Sequence, residues 1–432
     1  MGNRRGFLRG AVFLGASALF REQSFAQAGQ SVSSVGDSGS SVSAPPKGYY
    51  PYSGISGPGH PSGPQSATGG WHSGTAGVAY KGQYPPPYKT LPWLNLATGS
   101  AVRDGLLPPL LPLLEAHVRD TIICLGGDGN YYMTGSTGDN IWAFNDGVEL
   151  WKSPDLKRWE YLGLVWILEK DGGWEKQWRT LHDLPSRAIW APEIHYVRGN
   201  YYICLSMAPS GTSILKSTSG KPEGPYTHAF SPDKPITGGI DPTLFEDDDG
   251  KVYFTWSAAT QIVELKPDLS GFAGDFHRII LSDPDHNPSH HSEKCVARGM
   301  NDLGHEGATL FKANGNYYLG AADSFEGRYS TCLGIADNIY GPYRSRHESV
   351  PCAGGTGFFK DKDGHWWTSY FGNDVQSPFL EKPAALRIDF DKNGKVIVAK
   401  VDLLRQRDQS TRIRRRQTAC RSVLLQPRCT LG

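Results

Sequence analysis

The sequence has few cysteines for its length, and no two of them stand in a CxxC spacing. Seven cysteines among 432 residues are an odd number, which disfavours a fully paired disulfide framework. The missing CxxC spacing disfavours a structural zinc site. We therefore predict buried free thiols, with one disulfide formed after export as the alternative. The seven are Cys124, Cys204, Cys295, Cys332, Cys352, Cys420 and Cys429.

Long hydrophobic runs are also missing. The apolar run at residues 11–20 is ten residues long, too short to cross a hydrocarbon core of ~30 Å, and no later run is long enough. Arg4 and Arg5 precede this run, and the small-residue site Ala-Gln-Ala follows it at residues 26–28. The pattern predicts a twin-arginine signal at residues 1–28 and a periplasmic or extracellular protein without a membrane anchor. A short amphipathic or membrane helix is the alternative.

The body of the chain lacks a basic stripe. The whole chain carries +1, of which residues 1–28 supply +3 and residues 405–432 supply +7, so residues 29–404 carry −9. An acidic body argues against a nucleic-acid partner, and the basic end is predicted to be a disordered tail rather than a nucleic-acid arm. Residues 29–96 are rich in Ser, Gly and Pro, which predicts a linker or loosely packed arm. Residues 97–404 remain as the predicted folded domain.

No long helical periodicity is present, and one aromatic hairpin signature recurs instead. A turn glycine is followed by alternating large apolar residues, as in "GDGNYYMTG", "VRGNYYICLS" and "ANGNYYLGAA". Successive turn glycines lie 49 to 70 residues apart, room for four short strands. This spacing predicts an all-β, five-bladed β-propeller, in preference to a β-sandwich. The turn glycines are Gly129, Gly199, Gly250, Gly315 and Gly364.

The repeat aligns one position at the start of each inner strand. Counting nine residues back from each turn glycine reaches Asp120, Trp190, Asp241, Glu306 and Gly355. Equivalent positions of a propeller face one another around the channel, so three carboxyl groups are expected to converge. Carboxylates held close together raise one another's pKa, which is costly for stability but is what glycosidic-bond hydrolysis requires. The alternative is that these acids cap backbone groups or bind a structural ion.

These motifs resemble a known enzyme family. "VRDTIICLGGDGNYYMTGS", "IWAPEIHYVRGNYYICLS", "GGIDPTLFEDDDGKVYFTWS" and "HEGATLFKANGNYYLGAADS" look like successive blades of glycoside hydrolase family 43. The resemblance covers residues 117–374. It implies an inverting hydrolase of plant- or algal-type oligosaccharides or polysaccharides, an exo-acting α-L-arabinofuranosidase or β-xylosidase. A clan relative that acts on neoagaro-oligosaccharides and a noncatalytic carbohydrate-binding propeller are the alternatives.

The resemblance implies a role for each acid. Asp120 would be the general base, Glu306 the general acid, and Asp241 the residue that orients Glu306 and keeps it protonated. Gly355 stands where many members place a histidine that helps to bind a channel ion. No cofactor is therefore expected to be required, and a structural calcium ion in the channel has no support from this position, although His305 could compensate.

Substrate contacts are predicted from aromatic residues close to the acids. Trp190 could stack on a sugar face, and His305 could bond the substrate or pack beside Glu306. Loops that follow blade hairpins contribute the remaining candidates for the pocket wall, with packing between blades as the alternative for each. These candidates are Trp142, Phe144 and Phe325.

Overall fold

The computed structural model describes residues 99–114, 116–137, 145–181, 184–257, 261–282 and 302–399. Several predictions fall on residues outside these ranges: the signal at 1–28, the arm at 29–96, the tail at 405–432, Trp142, Phe144, Cys295, Cys420 and Cys429. Of the remaining cysteines, all four are free thiols, and Cys204, Cys332 and Cys352 are buried. No helix in the described part of the chain is both long and apolar enough to cross a membrane.

Twenty of the strands form five four-stranded antiparallel sheets, which are the blades of a propeller. Blade one contains β1 (Val118–Leu125), β2 (Tyr131–Thr137), β3 (Gly147–Ser153) and β4 (Glu160–Ile167). A small two-stranded sheet of β5 (Arg179–Leu181) and β6 (Leu184–Ser186) follows. Blade two contains β7 (Ile189–Val197), β8 (Asn200–Met207), β9 (Thr212–Ser217) and β10 (Tyr226–His228). Blade three contains β11 (Thr243–Glu246), β12 (Val252–Thr255), β13 (Gln261–Glu264) and β14 (His277–Arg278).

The last two blades come from the C-terminal part of the described chain. Blade four contains β15 (Glu306–Ala313), β16 (Asn316–Phe325), β17 (Arg328–Ala336) and β18 (Arg344–Val350). Blade five contains β19 (Phe358–Lys360), β20 (Trp366–Tyr370), β21 (Ala384–Phe390) and β22 (Val396–Val398). The described helices are single turns: α1 (Ser100–Arg103), α2 (Leu168–Asp171) and the 3₁₀ turn Trp174–Lys176. The predicted all-β, five-bladed propeller is confirmed.

The first strand of each blade lines the centre of the ring. Strand β1 contacts β7 and β19, β11 contacts β7 and β15, and β15 contacts β19, so the five inner strands form a closed circle. Consecutive residues of a strand face opposite sides, and each side packs against a different neighbouring blade. Tyr132 of β2 packs in the core between blades one and two, whereas Met133 packs in the core between blades one and five.

The segment before β1 covers blade five. Ala101 of α1 and Leu107 are buried in a cluster with Tyr370 and Leu386. The backbone N–H of Leu113 donates to the carbonyl of Pro383 at 2.7 Å, and the N–H of Val118 donates to the carbonyl of Glu381 at 3.0 Å. Contacts between the two ends of the described chain therefore close the ring where no covalent link does.

Candidate active site

Three inner strands contain a β-bulge near their first residues. The bulge lies between Arg119 and Ile122 in β1, between Trp190 and Glu193 in β7, and between Glu306 and Thr309 in β15. A bulge bends the strand and changes the direction of its side chains. Asp120, Ala191 and Gly307 have left-handed backbone conformations there, and Asp241 and Gly355 have them just before β11 and β19.

The bulges refine the alignment that the nine-residue count predicts. Asp120 (φ 49°) and Asp241 (φ 50°) both occupy the left-handed position. Glu306 directly precedes its left-handed residue, Gly307 (φ 67°), so its side chain leaves the backbone one position earlier than those of the two aspartates.

Gly307 and Gly355 allow the backbone to approach closely between the three acids. The N–H of Gly307 donates to Asp241 Oδ2 at 2.8 Å. A Cβ on Gly307 would lie 2.7 Å from the Cα of Gly355, and a Cβ on Gly355 would lie 3.3 Å from Asp120 Oδ1. The backbones of blades four and five thus approach closely between Asp241 and Asp120. The three carboxyl groups meet at one end of the channel.

Replacing Gly307 by alanine should destabilise the protein and disturb the site. The new methyl group would meet the Gly355 backbone at 2.7 Å in a left-handed conformation, so we expect a loss of about 3 kcal/mol in the free energy of unfolding. Gly315→Ala is the matched control, because Gly315 is also left-handed but has open space around its Cα, and should lose only about 1 kcal/mol. Denaturant unfolding of both variants tests this, and equal losses would contradict it.

Asp120 is held by one serine and one arginine. The Ser136 hydroxyl donates to Asp120 Oδ2 at 2.8 Å and accepts from the Ala191 N–H at 2.8 Å, which ties blade one to blade two. Arg119 Nε lies 3.9 Å from Asp120 Oδ2. Burial raises the pKa of Asp120 to about 6, although Arg119 and Ser136 act in the opposite direction. A carboxyl group with this pKa is ionised at neutral pH and can still accept a proton.

Removing the Ser136 hydroxyl should shift the acid limb of the pH–rate profile. The hydrogen bond stabilises the Asp120 carboxylate, so Ser136→Ala should raise the pKa of Asp120 further. If ionised Asp120 is the base, activity should then fall most below pH 6 and little at pH 8. Thr134→Val is the control, since Thr134 bridges the same two blades through Pro192 and Ile194 without contacting Asp120. An unchanged acid limb in Ser136→Ala would contradict this role.

A buried carboxylate, Glu381, lies behind Arg119. Glu381 Oε1 accepts from Arg119 Nη1 at 2.7 Å, and Glu381 Oε2 lies 2.5 Å from His117 Nε2. Burial alone would raise the pKa of Glu381, but the charge of Arg119 and the contacts with His117 lower it to about 2. Both oxygens of Glu381 therefore hold side chains that flank the β1 bulge.

Glu306 lies between a tyrosine and a histidine. The Tyr329 hydroxyl donates to Glu306 Oε1, and His305 Nε2 lies 3.6 Å from the same oxygen. Burial acts to raise the pKa of Glu306, but the positive charge of His305, the Tyr329 hydrogen bond and the charge of Arg119 lower it to about 2. Glu306 is thus a carboxylate in the free protein.

The pKa of Asp241 is shifted in the opposite direction to that of Glu306. Burial and the charges of Glu306 and Asp120 raise the pKa of Asp241 well above its ordinary value, against the hydrogen bond from the Gly307 N–H. The role of Asp241 towards Glu306 stays a prediction. In the free protein His305, Tyr329 and Arg119 together lower the pKa of Glu306 against the effect of burial.

A comparison with models of protein families shows to which family the chain belongs. Residues 110–396 match the model of "Glycosyl hydrolases family 43", which covers about two thirds of the sequence. The chain belongs to glycosyl hydrolase family 43. The resemblance found in the sequence motifs is thereby confirmed.

Curated proteins similar to this chain have several names. The chain is 27% identical over 301 residues to a putative beta-xylosidase of Xylanibacter ruminicola, covering 62% of this chain and 52% of that protein. It is 30% identical over 224 residues to a xylosidase/arabinosidase of Butyrivibrio fibrisolvens, covering 50% and 39%. It is 29% identical over 289 residues to a beta-D-galactofuranosidase of Aspergillus niger, covering 57% and 75%. The chain spans about half or less of the length of the first two relatives.

A solved structure shows the extent of the likeness in three dimensions. The endo-arabinase from Bacteroides thetaiotaomicron superimposes with a TM-score of 0.49 at 21% sequence identity. The match covers 66% of this chain and 98% of that protein.

The predicted aromatic contacts have different surroundings in this family 43 chain. Trp190 is buried with Ile240, next to Asp241, and its carbonyl accepts from Ser206, whose hydroxyl also bonds the Asp241 N–H. Phe325 ends β16, and the guanidinium of Arg346 lies over its ring at 5.8 Å. Trp142 and Phe144 lie outside the described residues. Trp190 and His305 are thus adjacent to the acids, and Phe325 is linked to His305 through Arg346 and Asp323.

The position of the family's channel ion lacks a ligand here. Gly355 offers no side chain, and even a Cβ there would crowd Asp120 Oδ1. His305 is already engaged between Asp323 and Glu306, whose charges raise its pKa to about 9 although burial lowers it. Among the described residues, the group with metal-ligand spacing is Asp361, Asp363 and His365, in the hairpin turn at the opposite end of β19. The residues at the channel do not fit the ion, and no chemical step is derived through it.

Several residues of the site escaped the sequence reasoning. Arg119 and Tyr329 touch the acids, and Glu381 and Asp323 hold residues that do. Arg119 could have been found, because it is the direct neighbour of a predicted catalytic acid. Glu381, Tyr329 and Asp323 lie outside the repeated register, so only the folded chain brings them to the site.

Proposed function

We propose that this family 43 chain is an inverting glycoside hydrolase of xylosyl or arabinosyl bonds in oligosaccharides. The observation that carries the proposal is the meeting of Asp120, Asp241 and Glu306 at one end of the channel, where the Gly307 N–H holds Asp241 and Gly355 brings blade five against Asp120. Several carboxyl groups at one site are what acid and base catalysis at a glycosidic bond requires. The names of the Xylanibacter and Butyrivibrio relatives support xylose or arabinose as the sugar.

In the proposed mechanism Asp120 acts as the general base. Above pH 6 its carboxylate accepts a proton from water, and the water attacks the anomeric carbon from the face opposite the leaving group. Ser136 and Arg119 orient the carboxylate through Oδ2. Water attack on one face yields a product of inverted configuration.

Glu306 acts as the general acid in the same step. Its carboxyl group protonates the glycosidic oxygen while the bond to the anomeric carbon breaks. Asp241 accepts a hydrogen bond from the Gly307 N–H, and burial and the charge of Glu306 raise its pKa. Trp190 is buried against Ile240 and supports the backbone that leads to Asp241.

The N-terminal sequence adds a proposal about location. Arg4, Arg5, the apolar residues 11–20 and the small-residue site at 26–28 support export by the twin-arginine route. Fusion of residues 1–28 to a reporter tests this: export that depends on both arginines is expected, and export of an Arg4→Lys, Arg5→Lys version would contradict it.

The activity is tested with nitrophenyl glycosides and polysaccharides, followed by NMR of the anomeric protons. We expect release of xylose or arabinose whose first-formed anomer is opposite to that of the substrate. Retention of configuration would contradict the mechanism. Binding without release of any sugar would instead support the noncatalytic propeller.

A further inference from the structure

His305 is a buried imidazole aimed at Glu306. Its side chain is 4% exposed, and its Nε2 lies 3.6 Å from Glu306 Oε1. This distance is too long for a hydrogen bond, and buried Nε2 has no hydrogen-bond partner among the described residues. A buried N–H without an acceptor is costly, so its position next to the acid requires an explanation.

The other side of the imidazole is fixed by two charged residues. His305 Nδ1 lies 3.3 Å from Asp323 Oδ1, and Asp323 Oδ2 accepts from Arg346 Nη2 at 2.7 Å. Arg346 Nε donates to the carbonyl of Leu303, which anchors this chain of contacts to the backbone two residues before His305. Asp323 and Arg346 are almost fully buried. Nδ1 therefore keeps its hydrogen, and Nε2 is the nitrogen that can exchange a proton.

We propose that His305 supplies the proton that Glu306 donates to the leaving group. The inference rests on the proposed glycosidase function, and it makes His305 and Glu306 a two-residue acid. It also explains how a carboxylate that is ionised in the free protein can act as the general acid.

The transfer is balanced within the pair. The Nε2–H bond of the imidazolium breaks and an O–H bond forms on Glu306 Oε1, leaving a neutral imidazole whose Nδ1–H donates to Asp323. Glu306 then transfers the same proton to the glycosidic oxygen as the bond to the anomeric carbon breaks. Solvent reprotonates Nε2 after the product leaves.

Substrate binding favours this transfer. The Glu306 side chain is 14% exposed in the free protein, and a bound sugar would cover it. Removal of water penalises the charge-separated pair more than the neutral pair of imidazole and carboxylic acid. The other groups that face the pair are Asp241, Tyr329, Asp323, Arg346 and Arg119.

The test compares leaving groups in the His305→Asn variant. The asparagine amide can replace the Nδ1 donor to Asp323, but it cannot carry a proton to Glu306. At pH 8 we expect hydrolysis of an alkyl xyloside or arabinoside to fall by about 100-fold, and that of the dinitrophenyl glycoside, which needs no protonation, by less than ~5-fold. The basic limb of the pH–rate profile should also move to lower pH, because the variant lacks the imidazole whose pKa Glu306 and Asp323 raise to about 9 against the effect of burial.

Two further variants distinguish a failure of the His305 proposal from a failure of the assignment of Glu306 as the general acid. Glu306→Gln should show the same dependence on the leaving group, and the exposed His365→Asn should change neither rate. Equal loss on both substrates in His305→Asn, or an unmoved basic limb, would overturn the proposal. If the rate of Glu306→Gln also did not depend on the leaving group, the assignment of Glu306 as the general acid would fail. The proposed role of His305 would then fail as well.

Discussion

Glu306→Gln and Asp120→Asn should each lower kcat/KM for oligosaccharide hydrolysis by roughly 10³-fold or more, with the fold intact. Both substitutions keep the size of the side chain and remove only its ability to hold or accept the proton. Steady-state kinetics and thermal unfolding on the same preparations measure the two parts of the prediction. Retained activity in either variant would remove that residue from the mechanism.

The two variants should differ in their response to the leaving group. Glu306→Gln should retain much of its activity on a dinitrophenyl glycoside, because that leaving group departs without protonation. Asp120→Asn should lose activity on every substrate, because attack by water is always required. The exposed Glu223→Gln is the matched control and should behave as the unmodified protein.

The second large effect is expected at Glu381. Glu381→Ala should lower the free energy of unfolding by about 3–5 kcal/mol, since it leaves Arg119 buried without its carboxylate. Activity should fall as well, because Arg119 also orients Asp120. Denaturant unfolding at pH 7 measures the first effect and kcat/KM the second.

The pH dependence provides a further check on Glu381. Its pKa falls from an ordinary 4.5 in the unfolded chain to about 2 in the folded protein. The ionised form is thus favoured by folding, and its stabilising effect is complete above pH 4.5 and disappears as the pH falls through 2. The difference between Glu381→Ala and the unmodified protein should therefore be smaller at pH 2 than at pH 7.

An exposed ion pair serves as the control for this prediction. Asp337 and Arg344 form a pair at 3.0 Å in which both side chains are largely exposed. Asp337→Ala should cost no more than about 0.5 kcal/mol. A similarly small loss in Glu381→Ala would show that the buried network does not stabilise the fold.

The fold could be predicted because it depends on local and repeated features. Gly129, Gly199, Gly250, Gly315 and Gly364 all adopt left-handed turns, which glycine tolerates without strain. The alternation after each glycine places one side chain in each of two interblade cores, as Tyr132 and Met133 show. Five copies of this pattern, a turn glycine followed by alternating apolar residues, are enough to specify five blades.

The approximate positions of the acids were predictable for the same reason. A constant count from the turn fixes the height of a residue along the inner strand, so Asp120 and Asp241 have equivalent positions. The count fails by one residue at Glu306, because the bulge in β15 places the left-handed conformation on Gly307. Bulges have no reliable signature in a single sequence.

The sequence by itself determined the five-bladed architecture, the membership in family 43 and the three acids near one end of the channel. Only the tertiary structure decided which neighbours shift the pKa of each acid. Arg119, His305 and Tyr329 come from blades one and four and act against burial at Asp120 or Glu306, whereas at Asp241 the neighbouring acids act together with burial. A pKa depends on every group within a few ångströms, and such neighbours are set by packing between distant segments, not by the spacing within one.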